Sequence, residues 1–272
     1  MSTQSEKAQN FLALHRKGSP LVMPNPWDVG SARLFASLGF AALATTSGGF
    51  AGTLGRRDGS VSRGEAIAHA ASLAGATDLP LSADLENCFA DEPAEVAKTV
   101  EMAIASGLAG CSIEDFTRRP DSPIYDKALA AERVAAAADA AHAGPVHLVL
   151  TARAENYLHG RPDLSDTISR LQAYQEAGAD VLFAPRIVDL VEIRSIVQSV
   201  DRPVSVLAFP GAPTVAELSA VGVARVSVGS WFFYVGFGAV ADAARELIGE
   251  GTYSFWPGAR AGADAARIAF PS

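Results

Sequence analysis

Only two cysteines, Cys88 and Cys111, occur in 272 residues. Two thiols cannot build a disulfide framework or a Cys-rich zinc site, which fits a reducing compartment. No run of about 18 apolar residues is free of charges and breakers. The start, Met1-Ser2-Thr3-Gln4-Ser5-Glu6-Lys7, lacks both the basic region and the apolar core of a signal peptide, so the expected location is cytoplasmic. Basic clusters are missing too, and the net charge is -8 with few aromatics in loops. Nucleic acid and membrane are therefore not expected partners, and recognition must be local, of a small molecule. Nor does any Ser/Pro-rich linker or charge run divide the chain. Residues 1–272 read as one domain, with a core at about 20–250 and a C-terminal extension at 251–272.

What is present is a repeat. Apolar β-rich runs recur at Pro20 to Met23, Ala41 to Thr45, Leu79 to Ala83, Gly110 to Ile113, Val146 to Thr151, Asp180 to Phe183, Pro203 to Phe209 and Arg225 to Val228. Segments of helical period separate them: Gly30 to Leu38, Arg63 to Ala76, Pro93 to Ser106, Ala128 to His142, Leu164 to Ala177, Leu190 to Val200, Thr214 to Ala220 and Val235 to Ile248. Glycines such as Gly39, Gly107, Gly178 and Gly222 close helices just before the next strand. Strict alternation of eight strands with eight helices predicts an α/β fold, a (β/α)8 TIM-type barrel, in preference to a doubly wound open sheet.

In such a barrel the chemistry sits where strands end. Strand three runs out in Ala83-Asp84-Leu85-Glu86 and strand four in Ile113-Glu114-Asp115, so acids from neighbouring strands meet at one rim. Asp84 and Glu86 flank a single residue and point to the same side if the strand is still extended there. Oxygen ligands with room for water suit Mg²⁺, or Mn²⁺, far better than zinc. The bland alternative is that these acids cap helices or pair with Arg153 at the end of strand five. Arg153 is in turn a fork for a substrate carboxylate or an ion-pair partner.

After strand one come Asn25, Trp27 and Asp28, with Trp27 a candidate substrate contact. After strand two, Thr46-Ser47-Gly48-Gly49 lets backbone N–H groups approach a small anion, or simply turns the chain. The stretch Phe50 to Ser60 is glycine-rich, charged and long for a βα connection, which fits an active-site lid or a merely mobile loop. Cys88 reads as a small buried thiol rather than an acid, and Cys111 as core. Among five histidines only His159 closely follows a strand end, and a solvated loop position is its simplest reading.

Taken in order, Ser47-Gly48-Gly49, Leu54-Gly55-Arg56-Arg57-Asp58, Ala83-Asp84-Leu85-Glu86, Ile113-Glu114-Asp115 and Ala152-Arg153 resemble the successive motifs of the isocitrate lyase and phosphoenolpyruvate mutase superfamily, nearest its mutase and 2-methylisocitrate lyase branch. The resemblance covers roughly residues 20 to 250. It implies Mg²⁺ held, partly through water, at Asp84, Glu86 and Glu114. It also implies a substrate carboxylate gripped by Ser47, Gly48, Gly49 and Arg153, and a loop that carries catalytic Asp58 over the site. The substrate class it implies is a small 2-oxo acid or enolpyruvate-like molecule, and the assembly a homodimer or homotetramer that exchanges the eighth helix. The lyases' Lys-Lys/Arg-Cys-Gly-His motif is replaced here by Phe116-Thr117-Arg118-Arg119-Pro120-Asp121-Ser122-Pro123, and their Gly-Tyr/Phe-Gly by Cys88-Phe89-Ala90. The histidine that phosphonomutases keep after strand six is absent from Phe183-Ala184-Pro185-Arg186. The expectation is a Mg-dependent lyase that cleaves C–C bonds or decarboxylates through an enolate-type intermediate. A phosphonate mutase or hydrolase, and a degenerate barrel that only binds a 2-oxo dicarboxylate, are the alternatives.

Overall fold

The computed structural model describes residues 2–270. Eight parallel strands carry the fold: β1 (Leu21–Met23), β2 (Leu43–Ala44), β3 (Leu81–Asp84), β4 (Gly110–Glu114), β5 (Val149–Arg153), β6 (Val181–Phe183), β7 (Val204–Leu207) and β8 (Arg225–Ser227). Consecutive strands pair from β2 to β8, and β8 pairs with β1 in register Leu21 to Arg225. Across the one seam without a ladder, Ala44 N–H donates to the Pro24 carbonyl at 3.1 Å, which nearly closes the barrel. All eight strands lie where the apolar runs predict them. The largest shift is at β5, which starts at Val149 because Leu148 N–H is taken by the Ala141 carbonyl at 3.0 Å.

The helices outside are α1 (Gln4–Ala13), α2 (Val29–Ser37), α3 (Ser47–Thr53), α4 (Arg63–Ala74), α5 (Pro93–Ala105), α6 (Lys127–His142), α7 (Leu164–Glu176), α8 (Leu190–Ser199), α9 (Val215–Ala220), α10 (Trp231–Gly249) and α11 (Trp256–Ala269). Starts are set by side chains that satisfy the free N–H groups of the first turn. Thr3 with Glu6, Ser62 with Glu65 and Thr214 with Glu217 form reciprocal capping boxes, and Pro93 opens α5. Gly107 and Gly178 end their helices at φ of 84° and 103°, a left-handed turn that a side chain would strain. Three helices were not anticipated from periodicity: α1, α3 inside the glycine-rich stretch, and α11 in the C-terminal extension.

The main core lies between strands and helices, with Leu43, Leu81, Ile113, Leu150, Leu171 and Leu182 all buried. The barrel's own interior is different. Where branched aliphatic layers are usual, Ser82, Ser112, Thr151, Ser205 and Ser227 are buried instead. Small hydroxyl side chains do not fill the tube, and a cavity of about 170 Å³ runs from its C-terminal mouth past Ser82, Ser112 and Ser227.

Candidate active site

At the mouth of this cavity Arg153 ends β5 and reaches three carboxylates. Its Nη1 lies 3.0 Å from Asp84 Oδ1, its Nη2 3.3 Å from Glu114 Oε2, and its Nε donates to Glu155 Oε1 at 2.8 Å. Asp84 is fixed from behind, since its N–H donates to Thr45 Oγ1 at 2.9 Å while its Oδ2 accepts from Ser47 N–H at 3.2 Å. An adjoining space of about 210 Å³ is lined by Asp58, Glu86, Glu114, Glu155, Arg153 and His159, among others. The rim thus brings together Asp58, Asp84, Glu86, Glu114 and Arg153 from four separate stretches of chain.

Glu86 gets there differently from the expectation. The strand ends at Asp84 and Glu86 takes φ of 52°, so the two acids do not share an extended face. Glu86 instead sits on a turn held by buried Arg133, whose Nη2 donates to the Asn87 carbonyl at 2.5 Å and the Ala90 carbonyl at 2.9 Å. Its carboxylate pairs with Arg118. Arg118 comes from the segment that replaces the lyases' cysteine motif, and its Nη1 also donates to the Gly59 carbonyl at 3.3 Å. Motif comparison missed it because the segment matches nothing; its left-handed φ of 62° is not visible in the sequence.

Charge at the rim is unbalanced. Burial first, and the neighbouring Asp84 second, push the Glu86 carboxyl up to about 7 against the pull of Arg118. Burial drives Glu114 well above the usual carboxylate range and Glu155 up to about 6, in each case against Arg153. Asp58 rides on an exposed loop, but its carboxyl faces the cavity, where loss of water and the charge of Asp84 raise it. Burial alone would lower Arg153; Glu155, Glu114 and Asp84 more than reverse this and keep it protonated. Carboxyl groups raised together at one rim mark a place short of positive charge, and oxygen donors of this kind suit a hard divalent cation. Arg153 pairs with Asp84 and Glu114, and Arg118 with Glu86, so these acids meet arginines rather than converging on one another.

The other candidates sort clearly. Thr46 caps α3, with Gly49 N–H donating to its Oγ1 at 3.3 Å, and its Oγ1 also lies 2.6 Å from Ser230 Oγ. Thr46 and Ser47 line the cavity. Gly48 lies behind them, where a Cβ would come within 2.7 Å of Ser230 Oγ and 3.1 Å of Asp58 Oδ2. Gly49 packs under Trp27, at 3.1 Å from its Cβ to a notional side chain. Trp27 itself does not line the cavity. Its ring packs edge-on against Phe35 and Phe233 at 6.1 and 5.6 Å between centroids, so it braces α2 and α10 rather than facing substrate. Asp115 is structural: it accepts from Tyr174 Oη at 2.5 Å, Arg170 Nη1 at 3.2 Å and Glu155 N–H at 2.8 Å. Cys88 is buried, with its thiol pushed up to about 12 by desolvation, and supplies no acid; Cys111 is core. His159, whose simplest sequence reading is a solvated loop residue, is half-buried on its loop. It stacks on Phe116 at 3.6 Å, with Nε2 3.8 Å from Glu155 Oε2, and lines the rim space.

A cluster of candidate metal ligands lies elsewhere, away from the rim. His142, His147 and Asp180 place one ligand atom each within 4.8 Å of one another. Both imidazoles lie 3.0 Å from separate Asp180 oxygens and stack at 4.0 Å. His147 precedes β5 and Asp180 precedes β6, so this cluster sits at the N-terminal face, away from the mouth.

Three comparisons bear on this geometry. Residues 11–248 match the family model described as phosphoenolpyruvate phosphomutase. The chain is 30% identical over 226 residues to the 2-methylisocitrate lyase of Escherichia coli K12, covering 79% of this chain and 75% of that one. Its structure is similar to that of a candidate lyase/mutase from Burkholderia cenocepacia J2315, with TM-score 0.94, 48% identity, and coverage of 97% and 95%. It is similar as well to oxaloacetate acetylhydrolase bound to the product oxalate, with TM-score 0.83, 25% identity, and coverage of 93% and 90%. With a barrel of eight parallel strands and a rim of this composition, the chain belongs to the phosphoenolpyruvate phosphomutase family of the isocitrate lyase and phosphoenolpyruvate mutase superfamily, and is an enzyme of lyase type.

Proposed function

We propose that this enzyme is a Mg²⁺- or Mn²⁺-dependent lyase acting on a small 2-oxo acid, by C–C cleavage or decarboxylation through an enolate-type intermediate, within a single barrel unit spanning residues 1–272. The observation that carries this reading is Arg153 set among Asp84, Glu114 and Glu155 at the cavity mouth. In the reading, Asp84, Glu86 and Glu114 hold the cation, directly or through water. When bound, that ion supplies positive charge where negative charge grows as the bond beside the carbonyl breaks.

The chain's own residues do the rest. Arg153 and the Ser47 hydroxyl orient the substrate carboxylate, which turns a loose encounter into a fixed geometry. Asp58, brought over the mouth by its loop, excludes water and is placed to hold a proton near the reacting carbon. His159 lies beside Glu155 in the same rim space. The names of 2-methylisocitrate lyase and oxaloacetate acetylhydrolase support a substrate built on a 2-oxo or 2-hydroxy diacid. The family description as a phosphomutase keeps P–C chemistry as the second reading.

Calorimetric titration with Mg²⁺ tests the site: wild type binds, and Asp84→Ala loses at least about tenfold in affinity. Unchanged affinity in that variant sinks the assignment. In a turnover panel, oxaloacetate decarboxylation is detectable, while isocitrate yields no glyoxylate, because the segment Phe116 to Pro123 carries no cysteine or lysine and the buried Cys88 thiol is pushed up to about 12.

A further inference from the structure

The mouth accounts for only part of the cavity. Its deep wall is Arg225, the first residue of β8, only 4% exposed yet lining the same space as Asp84 and Arg153. Arg225 begins two residues before Ser227, or about 7 Å lower on the strand at roughly 3.3 Å per residue. Its Nε donates to Ser205 Oγ at 2.9 Å, and its Nη1 lies 3.2 Å from both Thr151 Oγ1 and His15 Nε2. Every one of these partners is neutral. His15 Nδ1 is engaged by the Phe11 carbonyl at 2.8 Å, which puts the proton on Nδ1 and the lone pair of Nε2 toward the guanidinium. Burial first, and Arg225 second, depress His15 to about 3, so it stays neutral.

Among the described residues Arg225 has no carboxylate partner, and its Nη2 finds no protein acceptor. The other arginine in this cavity, Arg153, is surrounded by three acids. A buried charge solvated by dipoles alone is costly, and an anion entering the cavity would offset that cost. Burial lowers Arg225 only to about 9, which leaves it cationic at neutral pH. The serines above it are what open the way: Ser82, Ser112 and Ser227 line the shaft between mouth and guanidinium.

We infer that Arg225 is a second anion subsite, and that the substrate carries a second carboxylate which descends the barrel to meet its planar fork. This rests on the reading of the mouth as the site of a metal and a 2-oxo acid, and it makes Arg225 a specificity determinant that favours dicarboxylic over monocarboxylic 2-oxo acids. The guanidinium offers paired donors that match a carboxylate in a way an ammonium does not.

Two probes separate the ends of the cavity. Oxalate with Mg²⁺ reports on the mouth alone, whereas 2-oxoglutarate or 2-oxoadipate with Mg²⁺ must reach both ends. In titration calorimetry Arg225→Met should weaken at least one of the longer acids about tenfold or more relative to oxalate, with Arg225→Lys intermediate. If Arg225→Met does not fold, Ser82→Val narrows the shaft above an intact Arg225 and should produce the same selective loss. Equal effects on oxalate and the longer acids overturn the subsite. Independently of any metal, crystals soaked in bromide should show an anomalous peak beside the Arg225 guanidinium, and no peak there also counts against it. Failure of oxalate to bind the wild type with Mg²⁺ would instead discredit the reading of the mouth, and the bromide result then decides on Arg225 alone.

Discussion

Gly48 shows how narrowly single residues set this site. It does not line the cavity at the mouth, yet a Cβ there would meet Ser230 Oγ at 2.7 Å and Asp58 Oδ2 at 3.1 Å. Asp58 stands on an exposed loop and gives way at lower cost than buried elements, so Gly48→Ala should push the loop outward while the barrel holds. The expected result is a fall of about tenfold or more in kcat/KM, equal to about 1.4 kcal/mol of transition-state stabilisation, with little change in Tm. Gly52→Ala provides the contrast, because its Cβ would enter the Phe233 ring at 2.4 Å. Overpacking of that kind costs about 1–3 kcal/mol, and should appear in Tm as well as in rate. Equal losses of stability in the two variants would show that Gly48 serves packing rather than the loop.

Among the elements, the connection after β2 departs most from its sequence. Seven residues, Ser47–Thr53, form α3, and the exposed loop proper starts only after it. Three glycines disguise this helix, since glycine interrupts the periodicity by which helices are read. They serve close packing under Trp27, Ser230 and Phe233, which no local pattern reveals. The helix α1 hides for another reason: its capping box is legible at Thr3 and Glu6, but only Ala8 and Phe11 are buried, too few for a clear apolar stripe. The strands were legible throughout because buried parallel strands are continuous apolar runs, and acids that break such a run at Asp84 and Glu114 stand out. Arg118 and His159 were not, since they arrive on loops by tertiary placement. That placement also fixes the loop: Arg118 donates to the Gly59 carbonyl and pairs with Glu86, so one guanidinium ties the loop to the acids. Tryptic cutting at Arg56 or Arg57, both exposed, should slow when Mg²⁺ and oxalate are added, and should speed up in Arg118→Ala. Rates indifferent to ligand and to the variant would refute a closing loop.

For the molecule as a whole, the C-terminal arm is the part that the barrel does not cover. No helix among the described residues is long and apolar enough to cross a membrane, so the exposed side chains of α10 are not a span. Yet α10 buries only Phe233, and leaves Val235, Phe237, Val240 and Ile248 at 68, 59, 70 and 87% exposure. The remaining helices that follow strands each bury at least one residue against the barrel within a shorter length, which makes a 19-residue helix with one buried side chain anomalous for a barrel's eighth layer. Exposed apolar side chains in this number mark an association site, and a second copy of the chain offers the same helix to it. We propose that α10 is exchanged between subunits, each completing the partner's outer layer, which gives a homodimer or a tetramer of dimers. Phe237→Glu or Val240→Asp would bury a charge in that contact and should convert the assembly to monomer in sedimentation velocity, with a protein concentration-dependent Tm in wild type only. A wild-type chain that sediments as a monomer at micromolar concentration would leave this face to another partner and end the exchange model.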